Sequence, residues 1–583
     1  MRTQCLATDR IPHPVRYSGF VLAMALALSA CGPSADRVSQ PSSFASPAAP
    51  RALTAGEKLR ITGGPQPAVL AEPQSYVASG RSPLSPGCDG PLVGGTVYIG
   101  AEVEPSLAAH PANPNILVGA WQQDRWSNGS ARALVAATSL DGGRNWTRRA
   151  LPFSRCGGGT VMNGGDYERA SDPWVSYSPN GVVHAMSLST RGDVNTMLAS
   201  RSFDNGRTWT NAATLVLDGA AAFNDKNAIT ADPFDANYVY AVWDRLISSN
   251  NTGPAYLARS TNNGASWEPA RAIYDPGTRS QTIGNIVVVL PGGILLNMFS
   301  QIDSPVGGLQ RSRVAVIRSF DRGSTWSAPV YIADMLGVGT RDAATGLSVR
   351  DGSIIPSIAV APEGTVYVAW QDSRFSGGAY DGIAMSRSSD GGLSWSTPTR
   401  INGAPNVPAF TPNIHVAPDG TVGVTYSDLR SDTAAAPLLI DSWLARSTDG
   451  GATWRDLRIG APFDLGTAPF ARGLFVGDYQ ALVSLGDEFM PFYARTNSGE
   501  DDNRTDVVAV SLANVPRITG KRMTSAAMLR EMRARQTPAG FEPDIPLRQR
   551  VDANLRKRLR KPPDPGAPSR MMPHYAVLSA LAR

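Results

Sequence analysis

One eight-residue pattern recurs six times along this chain and narrows what the chain can fold into. The pattern is Ser-x-Asp-x-Gly-x-x-Trp. Its copies run from Ser139 to Trp146, Ser202 to Trp209, Ser260 to Trp267, Ser319 to Trp326, Ser388 to Trp395 and Ser447 to Trp454, with Asn262 in place of the Asp in the third. Each follows a short apolar run such as Leu134-Val135-Ala136-Ala137 or Val314-Ala315-Val316-Ile317. After each Trp the chain turns extended again, so the pattern predicts a hairpin turn. Its Asp bonds amides of its own turn, its Gly takes a positive φ without a Cβ clash, and its Trp is an apolar anchor beside the turn. On this reading the repeated Asp residues are turn formers and not catalytic acids.

The serines that open the copies lie 63, 58, 59, 69 and 59 residues apart. A period of this size marks an array or a propeller. A second echo precedes each box: apolar strand, tight turn, apolar strand, polar loop. Ser357-Ile358-Ala359-Val360, Ala361-Pro362-Glu363-Gly364 and Thr365 to Trp370 form one example. The echo occurs a seventh time with no box, from Gly477 through Gly486-Asp487 to Tyr493 and on to Val507-Val508-Ala509-Val510. The expectation is an all-β chain of four-stranded units closed as a seven-bladed propeller. Six blades is the alternative, and it requires one unit to be an insertion. The outer strand missing from the last unit is expected from Thr96-Val97-Tyr98-Ile99, because a lent strand removes exposed edges.

The repeated box resembles the Asp-box, or BNR, repeat of the sialidase superfamily, and the resemblance covers roughly residues 95–513. It implies a β-propeller with the boxes on the face opposite the active site, and glycoside hydrolysis of acidic or complex glycans. A non-catalytic propeller that binds glycan or protein is the alternative. Sialidases use a Tyr nucleophile with a Glu partner, an acid/base Asp and three Arg that hold the substrate carboxylate. The family's early Phe/Tyr-Arg-Ile-Pro motif is absent from the folded region; Arg10-Ile11-Pro12 lies within the leader. No Arg triad is therefore assigned by motif.

The upper face should hold the segments before the first strand and after the second strand of each unit. After the second strands come Asp124-Arg125, Asp244-Arg245, Asp372 with Arg374, and Asp428 with Arg430. Arg forks suit carboxylates, which makes these candidates for substrate binding. Their recurrence equally suits repeated inter-blade ion pairs. A catalytic set is asymmetric, because one substrate breaks the symmetry. The asymmetric residues Glu168, Arg169, Asp172, Asp478 and Tyr479 are therefore the catalytic candidates, with Tyr479 as nucleophile by position.

The ends of the chain read differently. Arg2, Arg10 and Arg16 precede an apolar run from Phe20 to Leu28, and then Leu28-Ser29-Ala30-Cys31. A basic start, a short apolar run and small residues before a cut make a secretory signal over residues 1–30. Leu-Ser-Ala-Cys also resembles the bacterial lipobox, which implies a lipid on Cys31 and a cell-envelope location. Residues 31–94, rich in Pro, Ser, Ala and Gly, read as a tether. Of the four cysteines, Cys88 and Cys156 remain for a disulfide in an oxidising compartment. Residues 514–583 read as a basic, helical C-terminal extension, which largely explains the net charge of +5. It reads either as a contact with anionic lipid or polysaccharide, or as a solvated tail or a helix lying on the propeller.

A glycan is the expected partner on the upper face and the membrane the partner of Cys31. Nucleic acid is not expected, and the chain is expected to be monomeric. No cofactor is implied. Glu500-Asp501-Asp502 with Asp506 offers hard oxygens suited to Ca²⁺, or else a solvated acidic loop.

Overall fold

The computed structural model describes residues 72–90, 94–433 and 437–515. The leader, Cys31 and the C-terminal extension after residue 515 lie outside the described residues. The described chain is all β apart from three short 3₁₀ turns.

Its unit is an antiparallel meander of four strands. The first consists of Val97–Ala109, Leu117–Trp126, Ala131–Ser139 and Thr147–Ala150. The second runs Arg169–Tyr177, Val183–Arg191, Val194–Ser202 and Ala213–Asp218, and the third Ala222–Ala231, Val239–Ile247, Ala255–Ser260 and Arg271–Tyr274. Units opening at Ser280–Val289, Ser357–Val360 and Ala409–Val416 repeat the order. The last contains Ala481–Leu485, Glu488–Thr496 and Thr505–Ser511.

The last unit takes its fourth strand from the N-terminal side, but not from the segment expected. Gln74–Val77 pairs antiparallel with Thr505–Ser511, placing Gln74 opposite Ser511 and Val77 opposite Val508. Thr96 to Ile99 instead leads into the first strand of the first unit, with Val97 opposite Trp126. The folded region therefore begins before residue 95, and the tether reading fails for residues 72–90. The reason is legible afterwards. Val97–Ala109 is thirteen residues long and buried along most of its length, as an innermost strand must be, whereas Gln74–Val77 is short and half exposed, as an outer strand is.

Each box forms the hairpin between the third and fourth strands of its unit. In the sixth, Ser447 Oγ donates to Asp449 Oδ1 at 2.7 Å, while Gly451 N donates to Ser447 Oγ and Thr453 N to Asp449 Oδ1, both at 2.8 Å. In four copies the Trp indole N–H donates to the Gly carbonyl, as Trp146 does to Gly143 at 2.8 Å. The box side chains are consumed by the turn.

The core lies between units. Val118, Leu134 and Ala136 of the first pack with Val175, Val183 and Leu198 of the second. The same first unit, through Leu117, Trp121 and Val135, packs with Met490, Phe492 and Val507 of the last. The succession thus returns to its start. The Cys88–Cys156 disulfide fastens the N-terminal segment to the loop that precedes the second unit.

Candidate functional site

The first strands of five units share one irregularity. Their register shifts between Val103 and Ser106, Ser171 and Trp174, Asp225 and Ala228, Ile283 and Ile286, and Phe410 and Asn413. Within each shift one residue takes a left-handed φ: Glu104 at 54°, Asp172 at 54°, Lys226 at 46°, Gly284 at 70° and Thr411 at 51°. A bulge bends its strand and re-aims the side chain that carries it. The backbone device repeats, but the residue on it changes from unit to unit. A near-symmetric scaffold so presents an asymmetric set of groups.

Three of these side chains meet residues from distant parts of the chain. Lys226 Nζ donates to Glu104 Oε1 at 2.9 Å and to Asp478 Oδ2 at 2.7 Å. Arg350, from the loop before the fifth unit, forks onto Asp478, with Nε to Oδ1 at 2.9 Å and Nη2 to Oδ2. Gln122 donates to Glu104 and accepts from Arg125 Nη1 at 2.6 Å. Asp172 Oδ2 accepts the Lys226 amide at 3.1 Å, and its Oδ1 accepts the Ser171 hydroxyl at 2.7 Å. The network is buried: Glu104 is 1 % exposed and Asp478 2 %. Burial, with the Asp172 and Asp478 carboxylates, pushes Glu104 up to about 7 against the pull of Lys226. Burial, with the nearby Arg350 guanidinium, lowers Arg125 to about 10.

Above the network opens a cavity of about 500 Å³. Arg125, Lys226, Arg350 and Arg472 bring positive charge to it, and Glu168, Asp172 and Asp225 bring acid. Arg169 forms part of its wall. Its guanidinium lies over the Trp126 ring at 4.1 Å, and Nη1 donates to Asn128 Oδ1 at 2.7 Å and to the Gly129 carbonyl at 3.0 Å. Arg125 Nε is buried without a hydrogen-bond partner. Its guanidinium stacks at 5.0 Å on Phe475, the ring that Arg350 also covers at 4.1 Å.

The structure thus brings Glu168, Arg169 and Asp172 to one cavity. Asp478 and Tyr479 are not among its lining residues. Asp478 lies beneath, neutralised by Lys226 and Arg350. Tyr479 is buried, with its ring 5.4 Å from Trp174 and its hydroxyl donating to the Pro173 carbonyl at 3.3 Å. Burial first, then the Glu104, Asp172 and Asp478 carboxylates, push the phenol well above its ordinary range. Tyr479 does not line this cavity, so the structure does not bring the expected nucleophile together with Glu168, Arg169 and Asp172.

Of the Asp/Arg set, Arg125 lines the cavity and Asp124, Asp244, Arg245, Asp372, Arg374, Asp428 and Arg430 do not. Arg374 pairs with Asp372 at 2.8 Å and Arg430 with Asp428 at 2.6 Å, each within its own unit. Asp124 accepts from Arg132 at 3.2 Å. Arg245 pairs with Asp218 of the preceding unit at 2.6 Å, the inter-unit bridge expected of the set. The acids of the last loop are also engaged: Asp502 with Arg81, Asp501 with Arg504 at 2.5 Å, and Asp506 with Ser79 and the Gly80 amide. Among the described residues, the one cluster with ligand atoms close enough for a metal is Cys88, Asp89 and Cys156, whose two sulfurs are joined to each other.

Sequence reasoning missed Glu104, Arg350 and Arg472. A signal for the first existed. Glu104-Pro105, Asp172-Pro173, Ile355-Pro356 and Thr411-Pro412 stand at matching places before a first strand resumes, and Pro inside a strand marks a bulge.

No protein-family model matches the chain, and no curated protein matches it. Solved structures do. A protein of unknown function from Dyadobacter fermentans is 14 % identical, covering 76 % of this chain and 98 % of its own, with a TM-score of 0.41. An alpha-L-arabinanase of Penicillium chrysogenum, complexed with arabinobiose, is 14 % identical over 76 % of this chain and 100 % of its own, with a TM-score of 0.40. A leech intramolecular trans-sialidase is 13 % identical over 80 % of this chain and 73 % of its own, with a TM-score of 0.38.

Proposed function

We propose that the chain is a sialidase-like β-propeller of seven blades that acts as a glycoside hydrolase on acidic glycans bound in the cavity at the head of the central network. The observation that carries this reading is the state of Arg125. It is 3 % exposed, has no carboxylate partner, and keeps a buried Nε–H unmatched. Arg350 and Arg472 stand near enough to act on it or on each other electrostatically. An incoming carboxylate or sulfate would supply the acceptor that Arg125 lacks, and guanidinium forks suit such oxyanions. Acids across the same cavity, Glu168, Asp172 and Asp225, are the groups from which acid and base would be drawn. The Asp-box reading of the repeated turns agrees with this placement, since the boxes are used up in turns between outer strands.

A second reading, binding without cleavage, is favoured by the position of Tyr479, which is buried and does not line the cavity. Export as a lipoprotein through Cys31, attachment to the cell envelope, a monomeric state and the absence of nucleic acid from its partners belong to the same proposal. So does a basic extension after residue 514.

The test is a glycan array with the secreted, tether-free protein, beside a panel of fluorogenic glycosides. Glycans bearing carboxylate or sulfate are expected to be retained and neutral ones not. Arg472→Ala, a change at an exposed side chain, should weaken retention about tenfold, the loss of one charge-assisted hydrogen bond. Equal retention of neutral and anionic glycans would sink the reading. Retention without turnover of any glycoside would select the binding form.

A further inference from the structure

One acidic residue on the cavity wall has a partner that the network does not use. Asp225 and Asp244 stand directly opposite each other on the first two strands of the third unit, the last register pair before the Lys226 bulge. Directly opposed residues of an antiparallel pair share one face of the sheet, with Cβ atoms roughly 5 Å apart. The next pair on that face, Phe223 and Leu246, lines the cavity, and so does Asp225. Asp244 lies behind, at 0 % exposure. Neither of its carboxyl oxygens has a hydrogen-bond partner among the described residues. Asp225 accepts only the adjacent Lys226 amide, at 3.0 Å.

We propose that Asp225 and Asp244 share a proton as one carboxyl pair, and that Asp225 delivers that proton to the leaving group in the cavity. This rests on the glycosidase reading above. Two opposed carboxylates, one of them fully buried with no donor to it and the other with a single amide, repel each other when both are charged, so at rest one keeps a proton and donates to the other. The surrounding charges leave no substitute. Lys226, the nearest cation, is committed to Glu104 and Asp478, and Arg350 to Asp478. Asp172 and Glu104 add negative charge, while Arg472 faces the pair from the loop before the last unit. Burial first, then the Asp225 charge, holds the Asp244 proton well above the carboxylate range, and burial likewise raises Asp225.

In the reaction, the Asp225 O–H bond breaks as its proton goes to the glycosidic oxygen. The C–O bond to the anomeric carbon breaks with it, and its electron pair stays on the departing alcohol oxygen. Both members of the pair are then carboxylates, and their mutual repulsion makes the pair a strong acceptor for the next proton. Water adds through its oxygen to the anomeric carbon, and the proton it loses restores the pair.

Infrared absorption of the ligand-free protein tests the pair without any substrate. Wild type at neutral pH should show a protonated-carboxyl band that Asp244→Asn removes and that titrates away at alkaline pH. A folded wild type without that band overturns the proposal, even if Asp244→Asn does not fold. Turnover tests the role. With methylumbelliferyl glycosides, Asp225→Asn should lower kcat by about a hundredfold or more. With dinitrophenyl glycosides, whose leaving group needs no proton, the loss should shrink to a few-fold. Equal losses on both overturn the donor role. A band present with no glycoside turned over keeps the pair and removes the donor role together with the glycosidase reading.

Discussion

At the scale of single residues, left-handed positions on the first strands of three units supply Glu104, Asp172 and Lys226 to the buried network. Lys226 shows the consequence. It is the cation between two buried acids, and Asp478 keeps Arg350 when it is lost, whereas Glu104 keeps only the Gln122 amide and the backbone N–H of Asp478. Removing one member of a buried ionic cluster costs about 3–5 kcal/mol, because the remaining charge is stranded. Lys226→Met should therefore lower stability by that amount in urea titration, and Glu104→Gln in the same chain should restore part of it. Additive losses in the double variant would show that the two do not interact.

The turn acids respond to pH in a defined direction. The Thr325 hydroxyl and amide hold Asp321 down at about 2, against an ordinary 3.8. Asp390 also lies at about 2, where bonds from Ser394 and Ser388 outweigh the effect of burial. Because the folded value lies below the unfolded one, the unfolded chain takes up the proton first as pH falls. The stabilisation is complete above about pH 4 and is lost as pH falls towards 2. Asp321→Asn should be less stable than wild type at pH 6, and the gap should close near pH 2. A gap that persists at pH 2 would assign the effect to the amide's geometry rather than to charge.

At the scale of elements, the box was legible because it is local. Its serine, acid, glycine and tryptophan bond within a few residues of one another, so a short stretch of sequence contains the whole cause. The outer strand of the last unit was not legible for the opposite reason. Gln74 pairs with Ser511, and no local property of a four-residue, half-exposed strand names a partner so far along the chain. The 72–90 segment is held by that pairing, by Arg132 on Asp89 and by the Cys88–Cys156 disulfide, which closes a separation of 68 residues. Removing a link of that kind costs about 2–4 kcal/mol. A paired Cys88→Ala and Cys156→Ala variant should melt several degrees below wild type, and a reductant should lower wild type to the same temperature while leaving the variant unmoved.

At the scale of the whole molecule, closure is the property that single units lack. Each unit buries its faces against its neighbours, and Trp121 of the first lies in the cluster shared with Phe492 of the last. A chain starting at residue 94 lacks both the lent strand and the disulfide and leaves the Thr505–Ser511 edge open. Such an edge recruits other chains. That truncation should unfold at lower denaturant and aggregate at concentrations where light scattering shows no aggregation of the wild type. Unchanged melting would mean that closure rests on the apolar cluster alone.

The repeat, its period, the all-β character and the turn-forming bonds of the box acids were determined by the sequence alone, because each depends on residues near one another in the chain. The segment that completes the last unit and the composition of the cavity were decided only by tertiary structure. Glu104, Lys226, Arg350 and Asp478 are separated by up to 374 residues, yet they share one buried set of bonds. A burial that strips water from four charges at once, and so makes their pairing obligatory, exists only after the units have packed together.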